Sequence, residues 1–386
     1  SDFSGSEMEV WDLDGTSKSV SGATGDVLTY ITTVDARDNI KLFTVADYTF
    51  ILNKTVATAK STTTGDERDP EGIIFLKQAT SATDFLVYVD GTLRSTINAS
   101  NDAGTQITDC FNELTTNIGT TFNVTKFGSS NVHITKKDGS DFTLHVEAPE
   151  GNCIAVKESV VDFTDLPSRT KDGMIVKITG DPSSGTDDYW IKHSNQADQD
   201  VGEWVETVEP GLANSLDKTT MPLQLVRTSE DPWDASFSAD YGETVFSLDT
   251  ITWTERLAGD EVTAPDPTFV GETLNDMFFH KNRLGFLANE NVILSELGEH
   301  FNFYATTATD LLDTDMIDLA SPTNKVSILR HAVPFNENLI LFSDFSQLKL
   351  TEFAAGGLTP TNAELSLLTE YEHDKLVQPI VNGRKV

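Results

Sequence analysis

The sequence predicts a mainly β protein: a β-propeller interrupted by inserted α+β and β domains. Three observations lead to this fold class. Short segments rich in Val, Ile, Thr and aromatic residues alternate with turn residues, a short motif recurs after 47 residues, and this motif is missing from a long middle stretch that contains one helical pattern. The 386 residues are enough for two or three domains with separate cores.

The recurring motif is an Asn-Glu-Asn tripeptide followed by an apolar run. It reads Asn-Glu-Asn-Val-Ile-Leu at residues 289–294 and Asn-Glu-Asn-Leu-Ile-Leu at residues 336–341, and a further step of 47 reaches Gly383. A pattern Phe-x-x-Asn-x-x-Val also begins at both Phe50 and Phe286. A four-stranded propeller blade takes roughly 40 to 50 residues, so the spacing predicts blades. The tripeptide itself is interpreted as a hairpin connection, because Asn tolerates positive φ.

The middle of the chain, from about residue 68 to 265, is predicted to be an insertion. Polar, turn-rich stretches flank it, as expected where a chain leaves one core and returns to it. Within it, apolar residues at helical spacing predict a helix near residues 103–118, which Asn101 or Asp102 would cap.

The predicted domains follow from these patterns. They are a first propeller part (1–67), an inserted α+β domain with the helix (68–155), an inserted β-rich segment (156–265) and further propeller blades (266–386), in a chain expected to be incomplete at both ends.

The charge of the chain limits the partners that it can hold. It contains 61 acidic and 27 basic residues, a formal net charge of -34. Affinity for DNA comes largely from Lys and Arg, so a tight DNA-binding protein is disfavoured. Solubility, a saline habitat and a specific role all remain explanations of the acidity. No apolar stretch reaches the ~18 residues of a membrane span, and Cys110 and Cys153 match neither a zinc motif nor a disulfide framework.

The most enzyme-like string is "DLDGT", which begins at Asp12. Its spacing of Asp12 and Asp14 resembles the nucleophile motif of haloacid-dehalogenase-type phosphatases, in which both carboxylates follow a buried parallel strand beside Mg²⁺. Here Glu7 and Glu9 stand where that strand must be apolar. We therefore interpret the string as an Asp-Gly hairpin turn and keep the phosphatase as a remote alternative.

Other candidate chemistry is weaker. The acidic run with Asp310, Asp313, Asp315 and Asp318 lacks the glycine and final Glu of a calcium loop. The histidines, among them His280, His300 and His331, form no metal-binding or catalytic spacing. The sequence therefore predicts no catalytic residue, no cofactor and no metal ligand.

Several longer strings carry a family resemblance. They are Val-Ala-Asp-Tyr-Thr-Phe at 45–50, Asn-Arg-Leu-Gly-Phe at 282–286, Phe-Asn-Phe-Tyr at 301–304 and Ala-Val-Pro-Phe at 332–335. In these strings the chain resembles the tail nozzle proteins, also called tail tubular proteins B, of short-tailed podoviruses, and the likeness covers nearly the whole chain. The structural residues of the family motifs are Phe50, Asn53, Asn282, Arg283, Leu284, Gly285, Phe286, Asn302, Phe303 and Pro334.

The resemblance implies a non-enzymatic protein of the virion tail, assembled in the bacterial host cytoplasm. It would form a homo-hexamer below the tail adaptor ring, help to anchor tail fibre proteins, and form the exit channel through which double-stranded DNA passes without sequence-specific binding. Family members resemble a propeller with inserted domains. A tail-associated carbohydrate-binding or depolymerising propeller protein is the alternative, which would need exposed aromatic residues beside paired carboxylates.

Overall fold

The computed structural model describes residues 8–180, 188–195, 201–229, 244–323, 326–335, 337–353 and 356–382. These residues contain 25 β-strands, three α-helices and two short 3-10 turns. The prediction of a mainly β protein is therefore confirmed.

The first elements form the two opposite edges of a six-stranded sheet, together with two short helices. They are β1 (Val10–Trp11), β2 (Ser17–Ser21), α1 (Gly25–Ile31), α2 (Ala36–Asn39), β3 (Ile40–Val45) and β4 (Tyr48–Asn53). The strands β1 and β2 lie at one edge of the sheet, and β4 and β3 lie at the other.

The next elements belong to the region that was predicted to be inserted. They are β5 (Glu71–Leu76), β6 (Phe85–Val89), β7 (Thr92–Ile97), α3 (Ala103–Ile118), β8 (Phe122–Phe127), β9 (Asn131–Lys136), β10 (Leu144–Glu147) and β11 (Cys153–Val156). They are followed by β12 (Ser159–Val160), β13 (Ile175–Ile178), β14 (Tyr189–Asn195) and β15 (Gly202–Thr207), with the 3-10 turns at Pro149–Gly151 and Phe163–Asp165.

The predicted helix is confirmed, and it packs on strands as expected. The side chain of Asp102 caps α3 by accepting a hydrogen bond from the backbone N–H of Gly104 at 2.9 Å. The buried face of α3, which includes Ile107 and Leu114, shares a core with β5 to β9. The strands around the helix form two sheets, ordered β10-β6-β7 and β11-β5-β9-β8, while β12-β13-β14-β15 form a separate sheet.

The remaining strands complete the first sheet and build two more. They are β16 (Leu223–Ser229), β17 (Thr244–Thr250), β18 (Leu274–His280), β19 (Arg283–Ala288), β20 (Asn291–Leu294), β21 (Ile317–Ala320), β22 (Leu329–Phe335), β23 (Asn338–Ser343), β24 (Gln347–Glu352) and β25 (Ala363–Thr369).

The chain returns to its first sheet earlier than the predicted insertion would allow. The sheet order is β1-β2-β17-β16-β4-β3, and β16 pairs antiparallel with β4 so that Leu223 lies opposite Ile51. The strands β16 and β17 lie within the 156–265 range but belong to this sheet. The structure differs from the prediction at that boundary because this pairing joins strands that are far apart in sequence.

The last two sheets are successive four-stranded antiparallel meanders, ordered β18-β19-β20-β21 and β22-β23-β24-β25. The 47-residue spacing does not relate equivalent positions in them, so this part of the repeat argument was wrong. Residues 289–290 connect the second and third strands of one meander, whereas Glu337 connects the first and second strands of the other. Equivalent first strands begin at Leu274 and Leu329, 55 residues apart. The motif recurs because it suits any tight hairpin, and Asn289 has a φ of +48°.

The six-stranded first sheet and the two four-stranded meanders share cores with one another. Phe50 and Leu52 of β4 pack in one core with Leu284 and Phe286 of the next sheet. A second core joins the two meanders. Asn336 and Gly383, which the repeat argument used, lie outside the described residues.

Candidate functional site

Arg283 is a fully buried structural centre of the family motifs. Its Nη1 donates hydrogen bonds to the carbonyl oxygens of Ser295 at 2.7 Å, Thr314 at 3.1 Å and Asp315 at 2.7 Å. Its Nη2 reaches the carbonyl oxygens of Asp313 at 3.2 Å and Leu358 at 3.3 Å. Burial lowers the pKa of the guanidinium. One side chain thus fixes two loops to β19, a role for which the five donors of Arg are suited.

Gly285 is required by the ring that lies over it. Its partner across the β18–β19 pair is Phe278, and a Cβ at residue 285 would lie 2.3 Å from the Cζ of that ring. The neighbouring motif residues Leu284 and Phe286 are buried in the core shared with the first sheet. A glycine inside a strand often marks such a close approach.

The motif around Asn302 and Phe303 holds the loop after β20. The Asn302 amide donates to Glu296 Oε2 at 2.7 Å, and its Oδ1 accepts from the backbone N–H of Tyr304 at 3.0 Å. The ring of Phe303 stacks on Phe286, with centroids 5.0 Å apart. This loop is thereby fixed to the same core.

The other motif residues have turn and packing roles. Asn282 adopts a φ of +59° between β18 and β19. Asn53 is buried, and its amide donates to the carbonyl oxygen of Tyr30 at 2.7 Å. Phe50 is in the core with Phe286, while Pro334 is exposed on β22. Of the motif residues, Phe50, Leu284, Phe286 and Phe303 belong to one core, while most of the others fix the turns and loops beside it and Pro334 is exposed.

Asp12 and Asp14 lie in an exposed hairpin between β1 and β2, as the turn interpretation predicted. Asp12 Oδ1 accepts from the backbone N–H groups of Asp14 at 3.1 Å and Thr16 at 2.8 Å. The hydrogen bond from Thr16 lowers the pKa of Asp12. The strand directly before Asp12 is β1, which has two residues and pairs antiparallel, unlike the buried parallel strand that the phosphatase motif needs.

The acidic run serves backbone hydrogen bonding. Asp315 is buried and accepts from the N–H groups of Thr306 and Leu312 at 3.2 and 2.7 Å. Asp318 instead binds Thr268 and Asn291. Across the described ranges, no group of three or more His, Cys, Asp or Glu residues is arranged to hold a metal ion.

The histidines and cysteines that the sequence singled out lie mostly in cores. Burial lowers the pKa of His280 to about 4 and that of His331 in the same direction, which favours their neutral forms. Cys110 and Cys153 are free and buried, and burial raises the pKa of the Cys110 thiol to about 12. Such thiols are poor nucleophiles.

Asp276 is a structural residue that sequence reasoning missed. It is 1% exposed, forms an ion pair with Lys41 of β3, and accepts a hydrogen bond from the backbone N–H of Ala332 of β22 at 2.8 Å. One carboxylate therefore links the edge strand β3 of the first sheet to the first strands of both meanders. The signal that could have identified it is a charged residue in the apolar strand "LNDMFFH".

An open pocket of about 580 Å³ lies between the first sheet and the first meander. It is lined largely by residues of the family strings and their neighbours: Val45, Ala46, Tyr48, Phe50, Gln224, Ile251, Thr252, Phe279, Leu284, His300 and Phe301. This lining is mainly apolar and holds no carboxylate. The pocket therefore offers a packing surface, without the paired acids of a glycosidase.

Comparisons with known proteins extend these observations. A sequence profile of the family described as bacteriophage nozzle protein matches residues 2–386. The tail tubular protein gp12 of Escherichia phage T7 is 32% identical over 403 residues, covering 100% of this chain and 48% of the T7 protein. The chain thus spans about half the length of that curated relative. Within the described residues, no helix is long and apolar enough to cross a membrane.

Proposed function

Because this chain belongs to the bacteriophage nozzle protein family, we propose that it is a structural, non-enzymatic part of a phage tail whose six copies form the distal tail tube. The observation that carries the proposal is the family match from residue 2 to 386. The geometry supports it, since Arg283, Gly285 and Phe303 act in packing and loop anchoring, and Asp12 in a turn. The ring attaches below the adaptor ring in the virion tail, helps to anchor tail fibres, and is assembled in the host cytoplasm.

The tube wall in this proposal includes part of a β-propeller. In it, each meander is one blade, and the strands β3, β4, β16 and β17 of the six-stranded first sheet are another, since a single small sheet buries both faces only when neighbours stack on it. The insertion leaves the first blade after Asn53 and returns at Leu223. The other domains of the proposal are an α+β domain at 68–155, a β-rich segment from 156, and further blades at 266–386.

The acidity of the chain suits the passage of DNA. In a sixfold ring every lumen-facing carboxylate is repeated around a polyanion, and charges within a Debye length of ~8 Å repel it. Cations would instead hold each phosphate and slow translocation. A net charge of -34 makes an acidic wall easy to build. Replacing lumen-facing Asp and Glu by Lys would then slow ejection, and a net basic lumen would exclude this explanation.

The test of the function is a phage that carries a nonsense mutation in the gene for this chain. We expect DNA-filled heads without the distal tail tube in electron micrographs, and restoration of tails and infectivity by a plasmid copy. Tails of normal length in the mutant would overturn the proposal. The depolymerase alternative is tested by incubating the purified protein with capsular polysaccharide. An increase in reducing ends would support that alternative.

A further inference from the structure

A polar pocket of about 210 Å³ lies where the first sheet and both meanders meet. It adjoins the buried Asp276 and is lined by residues from five parts of the chain: Asp38, Asn39, Lys54, Asn275, Arg330, His331, Lys375 and Leu376. Three of these side chains are cationic. In a chain with 61 acidic and 27 basic residues, such a grouping of cations is unusual.

Lys54 lacks a counterion among the described residues, as does the exposed Lys375. The side chain of Lys54 is half-buried, and no carboxylate of the described residues lies within ion-pair distance of its Nζ. Desolvation by burial lowers the pKa of Lys54, which means that the charged form is held at a cost in free energy. Proteins seldom leave a half-buried ammonium unpaired without a ligand or solvent to stabilise it.

The carboxylates around the pocket are largely committed to other cations. Asp344 accepts two hydrogen bonds from Arg330, at 2.8 and 3.1 Å, and Asp276 pairs with Lys41. Asp38 lines the pocket and offsets one of its positive charges. Asp374, next to Lys375, is a further carboxylate beside the pocket, and it accepts a hydrogen bond from the backbone N–H of Leu376 at 2.9 Å. Neither Asp38 nor Asp374 forms an ion pair with Lys54.

We propose that this pocket binds a single oxyanion of carboxylate or phosphate type, held by Lys54 with help from Lys375 and the guanidinium of Arg330. The amide side chain of Asn275 lines the same pocket and supplies a neutral donor, whereas that of Asn39 donates to Thr33 Oγ1 at 2.9 Å. The volume suits one small anionic group. Duplex DNA is excluded as the ligand because its convex backbone does not enter a small recess, and because tight binding needs many cations.

The oxyanion has two possible sources that share this chemistry. It is either a free anion, such as inorganic phosphate, or a carboxylate side chain of a neighbouring copy of this acidic chain. The second source rests on the proposed ring, whereas the first does not.

The first experiment measures the thermal stability of the purified chain in phosphate and in chloride at equal ionic strength. Lys54→Met removes the charge and keeps the aliphatic stem, while Lys218→Met, at an exposed lysine outside the pocket, is the matched control. Phosphate stabilises proteins generally by exclusion from their surface, so the difference between variants is the readout. For a free anion we expect phosphate to raise Tm by about 2–4 °C more in the wild type and Lys218→Met than in Lys54→Met.

The second experiment measures self-association by sedimentation velocity with Lys54→Glu and Lys218→Glu. If a neighbour's carboxylate is the ligand, Lys54→Glu weakens association at least tenfold relative to Lys218→Glu, and phosphate has little specific effect. Equal phosphate responses together with equal association in all variants overturn the proposal. If every variant still forms rings, only the anion site is disproved and the proposed nozzle function is unaffected. If the wild type itself does not form rings, the result contradicts the proposed function.

Discussion

At the residue scale, buried charges hold the sheets together. Arg283 and Asp276 are both about 0–1% exposed, and each connects segments that are distant in sequence. The sequence led to Arg283 only through a long family string. It did not lead to Asp276, because a lone acid in an apolar strand does not reveal its partners, and these lie 235 positions before it and 56 after it.

Replacing Asp276 by Asn should destabilise the protein by about 3 kcal/mol, since the largely buried Lys41 would lose its counterion. Urea unfolding measures this loss. Asp344→Asn is the control, because its pair with Arg330 is partly exposed and should contribute less than about 1 kcal/mol. Equal losses in the two variants would show that the Lys41–Asp276 contact contributes no more than a surface pair.

His280 should make the free energy of unfolding depend on pH. Its pKa is lowered to about 4 in the folded state, mainly by burial, whereas the unfolded side chain titrates near its ordinary value of about 6.5. Between these two pH values the unfolded state binds more protons than the folded state. The free energy of unfolding is therefore highest above about pH 6.5, and it decreases by up to about 3 kcal/mol as the pH falls toward 4.

The measurement for His280 is urea unfolding across that pH range. His280→Gln should flatten the acid side of the profile, while the exposed control His145→Gln should leave its slope unchanged. An unchanged slope in His280→Gln would place the acid sensitivity elsewhere.

At the element scale, local patterns predicted local structure well. The α3 helix, its Asp102 cap and the Asp12 hairpin follow from spacing and turn chemistry within a few residues. The position of a hairpin within a sheet does not follow from these local patterns, because an Asn-Glu-Asn turn fits between any two adjacent antiparallel strands. The sequence could therefore predict the turns around residues 289–291 but not that equivalent strands are 55 residues apart.

Gly285→Ala tests how closely β18 and β19 pack. The added methyl group would overlap the buried ring of Phe278, so we expect a loss of about 2 kcal/mol in the free energy of unfolding. Gly65→Ala is the control, because the nearest atom to its new Cβ is 3.8 Å away. The substitution Phe278→Leu should remove part of the penalty in the double variant. Additive losses would indicate that the ring is not the obstacle.

At the scale of the whole molecule, the least predictable feature was the return of the chain to its first sheet. The β4–β16 pairing joins strands that are separated by the whole α+β domain and another sheet, and nothing in either strand specifies the other. Pairing of this kind depends on which edge the intervening domains leave open. The shared core of Phe50 and Phe286 agrees with the pattern Phe-x-x-Asn-x-x-Val that begins at both residues.

The net charge of -34 leads to the last prediction, which concerns assembly. Copies with 61 acidic and 27 basic residues repel one another at long range, and this repulsion must be overcome before contacts form. Raising the salt from about 0.01 M to about 1 M shortens the Debye length from about 30 Å to about 3 Å. Self-association measured by sedimentation should therefore strengthen with NaCl, and sucrose at equal osmolality should not reproduce the effect. Weakening of association with salt would mean instead that attractive ion pairs between copies, such as a carboxylate at Lys54, outweigh the general repulsion.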